Sequence, residues 1–477
     1  MAIMAIGAHA LLDLLGEWRG SGASYEALAD RIRLLVIDGR VGSGVRLPAE
    51  RELAAELEIS RTTVTAAYQR LREQGFALSR QGSGTRTALP GGAASPTVPE
   101  TGLLDFLKAA LPAPSMMLDA VAEASTQLAP LLLDSGYETI GLPVLREAVA
   151  RRYTERGLPT DADQVLITVG AQQAIALIGR ALVRRGDRAL IEVPTYPHAY
   201  DAIGAAGARM VTAPVSVDSP EGWDVEAFES AMRRTSPAIA YLMPDFQNPT
   251  GRSMSLAVRR RLLDAAAAQG TILVADETPA ELDIDRPETF PPLAATAGGG
   301  ARVITIGSAS KTMWGGLRVG WVRAERAMIR RLHAVRVNMD LGTPIIDQLV
   351  VASLFTRFDE VLAQRRAALA AGRAAIERIV PAAFPDWTLP HVHGGLAVWA
   401  HIGAPVSSQL ALAARSEGLL VTAGPRFGLD GAFERFLRLP LTSTGPQVEQ
   451  AVAALQRAWP AAARHPLSDA GALTGVV

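Results

Sequence analysis

The chain contains no cysteine, so it can form neither a disulfide nor a thiolate metal site. That fits a reducing cytosol. Neither sign of charge is in excess: 47 Lys and Arg stand against 48 Asp and Glu, a net charge of −1. With no global field to attract nucleic acid, any basic surface must be local. No uninterrupted apolar stretch approaches the ~20 residues that span a bilayer. The run Met1–Leu15 is apolar, but it lacks a basic leader and contains Asp13, so no signal peptide is expected. These absences predict a soluble, cytoplasmic protein with no membrane partner. What is present is length: 477 residues, 49% of them hydrophobic, predict two or three domains with a sizeable core.

The first ninety residues predict a compact head. Residues 25–37 carry apolar side chains at helical spacing and close at Asp38-Gly39. After a Gly/Ser loop, Pro48 suits the first turn of a helix that includes Glu50–Leu57. Ser60 is the expected N-cap of a helix over Arg61–Gln74, stopped by Gly75. Phe76–Leu78 and Thr85–Thr87 read as short strands around a hairpin tip, Gln81-Gly82-Ser83-Gly84. Helix, helix, turn, helix and hairpin make a winged helix-turn-helix. That geometry puts Ser60, Arg61, Thr62 and Thr63 into a major groove, where guanidinium reads guanine and hydroxyls hold phosphates.

The string Leu47-Pro48-Ala49-Glu50-Arg51-Glu52-Leu53-Ala54, then Ser60-Arg61-Thr62-Thr63-Val64, Gly75 and Gly82-Ser83-Gly84-Thr85, strongly resembles GntR-type transcription regulators over residues 24–88. The resemblance implies contacts to double-stranded DNA from Arg51, Ser60, Arg61, Thr62, Thr63 and Thr65, with the Gly82 wing in the minor groove. Residues 1–88 are therefore expected to be the DNA-binding domain. Residues 89–103, rich in Pro, Gly and Ser, read as a tether.

From residue 104 short apolar strands alternate with Ala/Leu-rich helices, the pattern of an α/β domain with a mostly parallel sheet. Expected strands are Val165–Val169, Ala189–Val193, Ala238–Leu242, Ile272–Ala275, Val303–Gly307 and Gly320–Arg323. Ligands of such sheets gather beyond the carboxyl ends of the strands. Gly170-Ala171-Gln172 follows the first and opens a helix, an anion site. Tyr196 follows the second, Asn248 in a Pro-Gly turn the third, and Asp276 the fourth. Ser308-Ala309-Ser310-Lys311, with Arg318 beyond, follows the fifth. Lysine condenses with aldehydes. An anion cradle, a ring to stack on, an amide, an acid and a lysine are together what pyridoxal 5′-phosphate requires.

Residues 104–462 accordingly resemble a fold-type-I aminotransferase with a small C-terminal α+β subdomain; residues 463–477 read as a tail. Joined to the head, this resembles the MocR subgroup of GntR regulators. The resemblance makes Lys311 the Schiff-base lysine and Asp276 the pyridine-nitrogen partner. Asn248 becomes the phenolate contact and Tyr196 the stacking ring. Ala171, Gln172, Ser308, Ser310 and Arg318 become the phosphate holders, and Tyr137 reaches the phosphate of a partner chain. Arg438, in Phe436-Leu437-Arg438-Leu439, becomes the clamp on an amino acid's α-carboxylate, a bidentate task suited to guanidinium. One position departs from the family: Thr278 stands where a tyrosine usually contacts the phenolate oxygen, and it is too short to do so without a water.

His391-Val392-His393 places two imidazoles on one side of a strand, but no acidic or cysteine companion stands near in sequence, so no metal site is expected. The arginines of residues 323–336 read as a solvated helix face. The expected function is a homodimeric transcription regulator whose aminotransferase-like domain senses pyridoxal phosphate, alone or as an aldimine with an amino-acid or amine effector. The alternative is a working transaminase carrying a DNA-binding head.

Overall fold

The computed structural model describes residues 5–16, 18, 23–37, 40–42, 44–80, 84–88, 102–216, 222–298, 300–429 and 432–463. The wing tip with Gly82, most of the tether and the tail lie outside the described residues.

The head consists of α1 (Ala8–Leu15), α2 (Ser24–Ile37), α3 (Glu50–Glu56), α4 (Arg61–Glu73) and a hairpin of β1 (Ala77–Arg80) with β2 (Gly84–Thr87). Ser60 caps α4, its Oγ accepting the Thr63 amide at 3.1 Å. Gly75, at φ 78°, turns the chain into β1. Leu28, Ile32, Leu53, Val64, Leu71 and Phe76 meet in one core.

Three details differ from the sequence reading. Helix α1 was not expected, yet its Leu11 and Leu15 are wholly buried in the head core. Its eight residues are too few for helical periodicity to stand out. The strands sit one residue away from their expected starts, with Ala77 opposite Thr87. Pro48 lies before α3, whose N-cap is Ala49; the Pro48 carbonyl instead accepts the buried Tyr68 hydroxyl at 3.0 Å.

The large unit opens with β3 (Leu104–Asp105). Its central sheet has seven strands: β4 (Val165–Thr168), β5 (Arg188–Val193), β6 (Arg209–Pro214), β7 (Ile239–Leu242), β8 (Ile272–Asp276), β9 (Arg302–Ser308) and β10 (Gly320–Arg323). Their order is β4-β10-β9-β8-β7-β5-β6. Every pairing is parallel except those of β10, which runs antiparallel to both β4 and β9. The central strands β7 and β8 are buried throughout, which explains their continuous apolar runs. Strand β6 escaped the sequence reading because, at the sheet edge and half-exposed, it carries no apolar run.

The small subdomain pairs β11 (Ala397–His401) with β14 (Phe436–Pro440), and β14 with β13 (Thr422–Ala423). It is not wholly C-terminal, because β3 pairs with β12 (Leu419–Leu420), and Phe106 enters the subdomain core. The 26-residue helix Phe358–Ala383 joins the two parts, burying Val361 in the large core and Ile376 in the small one. Among the described residues no helix is long and apolar enough to cross a membrane.

Because α1 completes the head core, Leu11→Ala is expected to destabilise the head by about 2–5 kcal/mol. A lowered first transition in thermal unfolding, with the large unit's transition unmoved, checks this.

Candidate cofactor pocket and nucleic-acid interface

The carboxyl ends of β4, β5, β7, β8 and β9 open into a cavity of about 620 Å³, closed on its other side by the small subdomain and residues 107–110. Lys311, Asp276, Asn248, Tyr196, Ala171, Gln172, Ser308, Ser310, Arg318 and Arg438 all line it. Residues as far apart as Ala171 and Lys311 thus meet because parallel strands deliver each of their ends to the same edge, while Arg438 comes from the small subdomain.

Lys311 leaves β9 through one helical turn that Ser308 caps, its Oγ accepting the Ser310 amide at 3.1 Å. The Lys311 Nζ donates to the Ala109 carbonyl at 2.9 Å. Burial, then the Arg438 charge, lower its pKa to about 8, against the pull of Asp276. Such an amine is neutral in a much larger fraction at about pH 7 to 8 than an ordinary lysine, which favours attack on an aldehyde.

Asp276, only 3% exposed, is held from both sides. The Tyr241 hydroxyl donates to Oδ2 at 2.6 Å and the Thr278 amide to Oδ1 at 2.9 Å. Burial, followed by Asp276 itself, pushes the Tyr241 phenol well above its ordinary range, so it remains a donor. Sequence reading missed Tyr241, which sits inside an apolar strand and reads as core.

The anion cradle depends on close backbone approach. Gly170 begins the helix Gly170–Leu182 at φ 74°, and a Cβ there would lie 2.6 Å from an Arg318 Nη2. Gly320 presses on the same turn, where a Cβ would fall 2.6 Å from the Gly170 carbonyl carbon. Arg318 Nη1 donates to Ser310 Oγ at 3.3 Å. A guanidinium, two serines and a helix N-terminus therefore surround one point.

Asn248 and Tyr196 sit on turns that are stapled together. Gln247 Nε2 donates to the Pro194 carbonyl at 2.6 Å, tying the amide turn to the aromatic one. Behind them Glu192 is buried, its pKa raised by burial to about 7, and accepts Trp223 Nε1 at 2.8 Å. Gln247 and Glu192 hold the site's shape, a role their sequence context did not signal.

Arg438 points inward from β14 and donates to the Leu107 carbonyl and to Thr422 Oγ1. Its guanidinium lies 5.3 Å from the Phe427 ring centre. Burial lowers its pKa to about 10, so it stays charged at neutral pH. Lysine occurs only twice in the chain, as Lys108 and Lys311, and both line this cavity. Lys108, paired with Asp105 at 2.8 Å, was not anticipated.

These groups fit pyridoxal phosphate. Ala171, Gln172, Ser308, Ser310 and Arg318 would hold its phosphate, Tyr196 its ring face, Asn248 its phenolate oxygen, Asp276 its ring nitrogen and Lys311 its aldehyde. The cofactor supplies an electron sink for chemistry at an amino compound's α-carbon. Thr278 lines the same cavity, and its hydroxyl oxygen is buried without a hydrogen-bond partner among the described residues. Tyr137 stands apart, 69% exposed and outside the cavity lining.

The histidine pair requires a correction. Acidic companions are present, brought from distant segments: Asp285 Oδ1 lies 3.0 Å from His393 Nδ1, and Glu377 Oε1 lies 2.8 Å from His391 Nδ1. Potential ligand atoms of Asp285, His391 and His393 fall within 4.8 Å of one another. Arg373, however, already grips both Asp285 oxygens and holds that carboxyl well below its usual range. A metal ion would have to displace this guanidinium.

On the head, Arg51 in the first turn of α3 and Arg61 at the first position of α4 are both exposed. Thr65 Oγ1 donates to Glu50 Oε2 at 2.8 Å, and Arg61 lies 3.8 Å from that oxygen. Ser60 Oγ meets the Thr62 and Thr63 hydroxyls at 2.7 and 2.8 Å. The start of α4 is thus a preorganised patch of short hydroxyls beside one guanidinium that is 72% exposed.

A winged helix joined to an aminotransferase fold is the class that these two sites define. The chain belongs to the class I and II aminotransferase family, whose profile matches residues 112–455; residues 24–86 match the gntR family of bacterial regulatory proteins. The Thermus thermophilus α-aminoadipate aminotransferase LysN, solved with N-(5′-phosphopyridoxyl)-L-leucine, is 31% identical. It superposes with a TM-score of 0.67 over 76% of this chain and 94% of that one. Two regulators align along nearly the whole length. The HTH-type transcriptional regulator TauR of Rhodobacter capsulatus is 27% identical over 92% of this chain and 97% of its own. The uncharacterized HTH-type regulator YdcR of Escherichia coli is 28% identical over 90% and 97%. The chain is a GntR-type DNA-binding regulator fused to an aminotransferase-like domain, the layout of the MocR subgroup.

Two outcomes are expected of the pocket. Gly170→Ala should push Arg318 aside and weaken pyridoxal phosphate binding about tenfold or more, measured by absorbance titration, while the far-UV circular dichroism stays unchanged. Capture of the cofactor by Lys311 requires the neutral amine. Its rate is expected to rise with pH around a midpoint near 8, where an exposed lysine would give about 10.4.

Proposed function

We propose that this protein is a homodimeric, cytoplasmic transcription regulator that binds operator DNA through its head and senses pyridoxal 5′-phosphate together with an amino-acid or amine effector. The observation that carries the reading is the coexistence in one chain of an exposed α4 start and a cavity containing Lys311, Asp276 and Arg438. Arg51, Ser60, Arg61, Thr62, Thr63 and Thr65 are the DNA contacts. Lys311 is the covalent anchor, and Arg438 takes the effector's carboxylate, exchanging the Leu107 carbonyl for a charged partner. The regulators TauR and YdcR, similar along almost their full length, support regulation over turnover.

A dimer suits two heads reading two half-sites. Leu118, Leu132, Leu133, Tyr137, Leu341 and Ile346 are exposed, in a chain whose other large apolar side chains are mostly covered. A second copy is the occupant we assign to them, with Tyr137 reaching toward its partner's phosphate cradle. The second reading, a working transaminase, is favoured by one observation: the guanidinium clamp and the lowered-pKa lysine share the pocket.

The test has two parts. Lys311→Ala is expected to abolish the visible absorption band near ~420 nm that the wild type shows with pyridoxal phosphate. Arg61→Ala is expected to weaken binding to the DNA upstream of the protein's own gene by about 1–3 kcal/mol, and that binding should fall steeply with salt. Steady consumption of amino acid with 2-oxoglutarate, and no salt-sensitive DNA binding, would make the protein a transaminase instead.

A further inference from the structure

Among the described residues, the head meets the body at the outer wall of the cofactor cavity. Arg40 follows α2 and is anchored in the head by its neighbour. Val41 is buried in the head core, and its amide donates to the Leu35 carbonyl at 2.9 Å. The Arg40 Nη2 donates to two carbonyls of one body turn, those of Pro425, at 3.3 Å, and Gly428. Between them lie Arg426 and Phe427, both of which line the cavity. A second contact comes from the helix Ser407–Ser416, where Leu412 packs on the head core while the preceding residue, Ala411, lines the cavity.

The wall is connected to the groups that would touch the cofactor. The Thr195 amide donates to the Phe427 carbonyl at 3.0 Å, immediately before Tyr196. Arg426 Nη1 donates to the Tyr200 hydroxyl at 2.9 Å, on the helix that Tyr196 caps. The Phe427 ring lies beside the Arg438 guanidinium. The Gly424 amide donates to Ser407 Oγ at 2.8 Å, so the turn and the Leu412 helix form a single wall.

We propose that this docking contact, with Arg40 as its latch, couples occupancy of the cavity to the position of the DNA-binding head. The inference rests on the sensor reading above and supplies its route. One guanidinium can satisfy two carbonyls three residues apart only while the turn keeps its present shape. A ligand stacked on Tyr196 or clamped by Arg438 bears on that turn through Thr195 and Phe427. Among the described residues the contact centres on Arg40 and Leu412, so a shift of the turn or of the Leu412 helix bears directly on it. Ligand and head then bias the same two arrangements, and the coupling acts in both directions.

That reciprocity allows a test without knowledge of the effector, using pyridoxal phosphate alone as the probe. Arg40→Ala and Leu412→Ala, neither in the cavity lining, are compared with the full-length wild type by absorbance titration. Loosening the wall is expected to weaken the cofactor's Kd about fivefold or more in both variants, within the usual range of allosteric coupling. Arg40→Lys, which keeps a charge but lacks the planar guanidinium that carries Nη2 to the turn, is expected to retain only part of the wild-type affinity. Hydrogen exchange supplies a readout independent of affinity: adding pyridoxal phosphate should alter amide protection in α2 of the wild type and leave it unaltered in Arg40→Ala. A Kd within twofold of wild type or tighter in both variants, or no change of α2 protection in the wild type, would overturn the latch. Those outcomes leave the functional reading standing, provided the wild type takes up the cofactor and binds DNA. A wild type that takes up no pyridoxal phosphate overturns both.

Discussion

Three charged groups gathered in one cavity, the half-buried Lys311 amine and the buried Asp276 carboxylate and Arg438 guanidinium, impose the constraint around which the large unit is arranged. Each charge would be costly to bury without partners. Asp276 therefore takes donors from Tyr241 and the Thr278 amide, while Lys311 and Arg438 rest on the Ala109 and Leu107 carbonyls. The residual strain appears as a lysine whose pKa has fallen to about 8. A group that is uncomfortable as a cation in the resting protein is one that binding an aldehyde relieves. The same carbonyls that shield the two cations are what a ligand has to replace.

This arrangement also relates the two ends of the chain. Residues 104–110 pair with the small subdomain through β3 and lay their carbonyls across the cavity, directly after the tether from the head. The head meanwhile rests on the turn 424–428 and the helix Ser407–Ser416. Both routes run past Arg438, through Leu107 on one side and Phe427 on the other. A cavity with this construction would serve a regulator as readily as an enzyme, because in either role a carboxylate reaching the guanidinium would have to displace the Leu107 carbonyl. Thr278 lines this cavity with its hydroxyl buried and without a partner among the described residues, and it is too short to reach across as a tyrosine would.

Strongly local signals were legible in the chain. Ser60 at the start of α4, Gly75 at its end and the apolar runs of β7, β8 and β9 announce their conformation within a few residues. The pocket residues were legible for a related reason: in a parallel sheet, the residues just past a strand already lie at the ligand edge. Tyr241 escaped because a strand interior hides a polar tip among apolar neighbours. Helix α1 and edge strand β6 escaped because each is too short or too exposed to show its period. The pairing of His393 with Asp285 escaped because it joins residues 108 positions apart.

By itself, the amino-acid sequence determined the order of most elements, with α1 and β6 excepted, the division into a winged helix and an α/β unit, and the residue types able to hold a phosphate, an aldehyde and a ring nitrogen. These depend on periodicity and on chemistry carried by single side chains. Only the tertiary structure decided which neighbours those side chains meet. The lowered pKa of Lys311, the Tyr241 support of Asp276, the capture of Asp285 by Arg373 and the seating of Arg40 on the pocket wall all arise from contacts across long stretches of chain. Burial and close approach are properties of packed surfaces, and a linear pattern does not specify which surfaces pack.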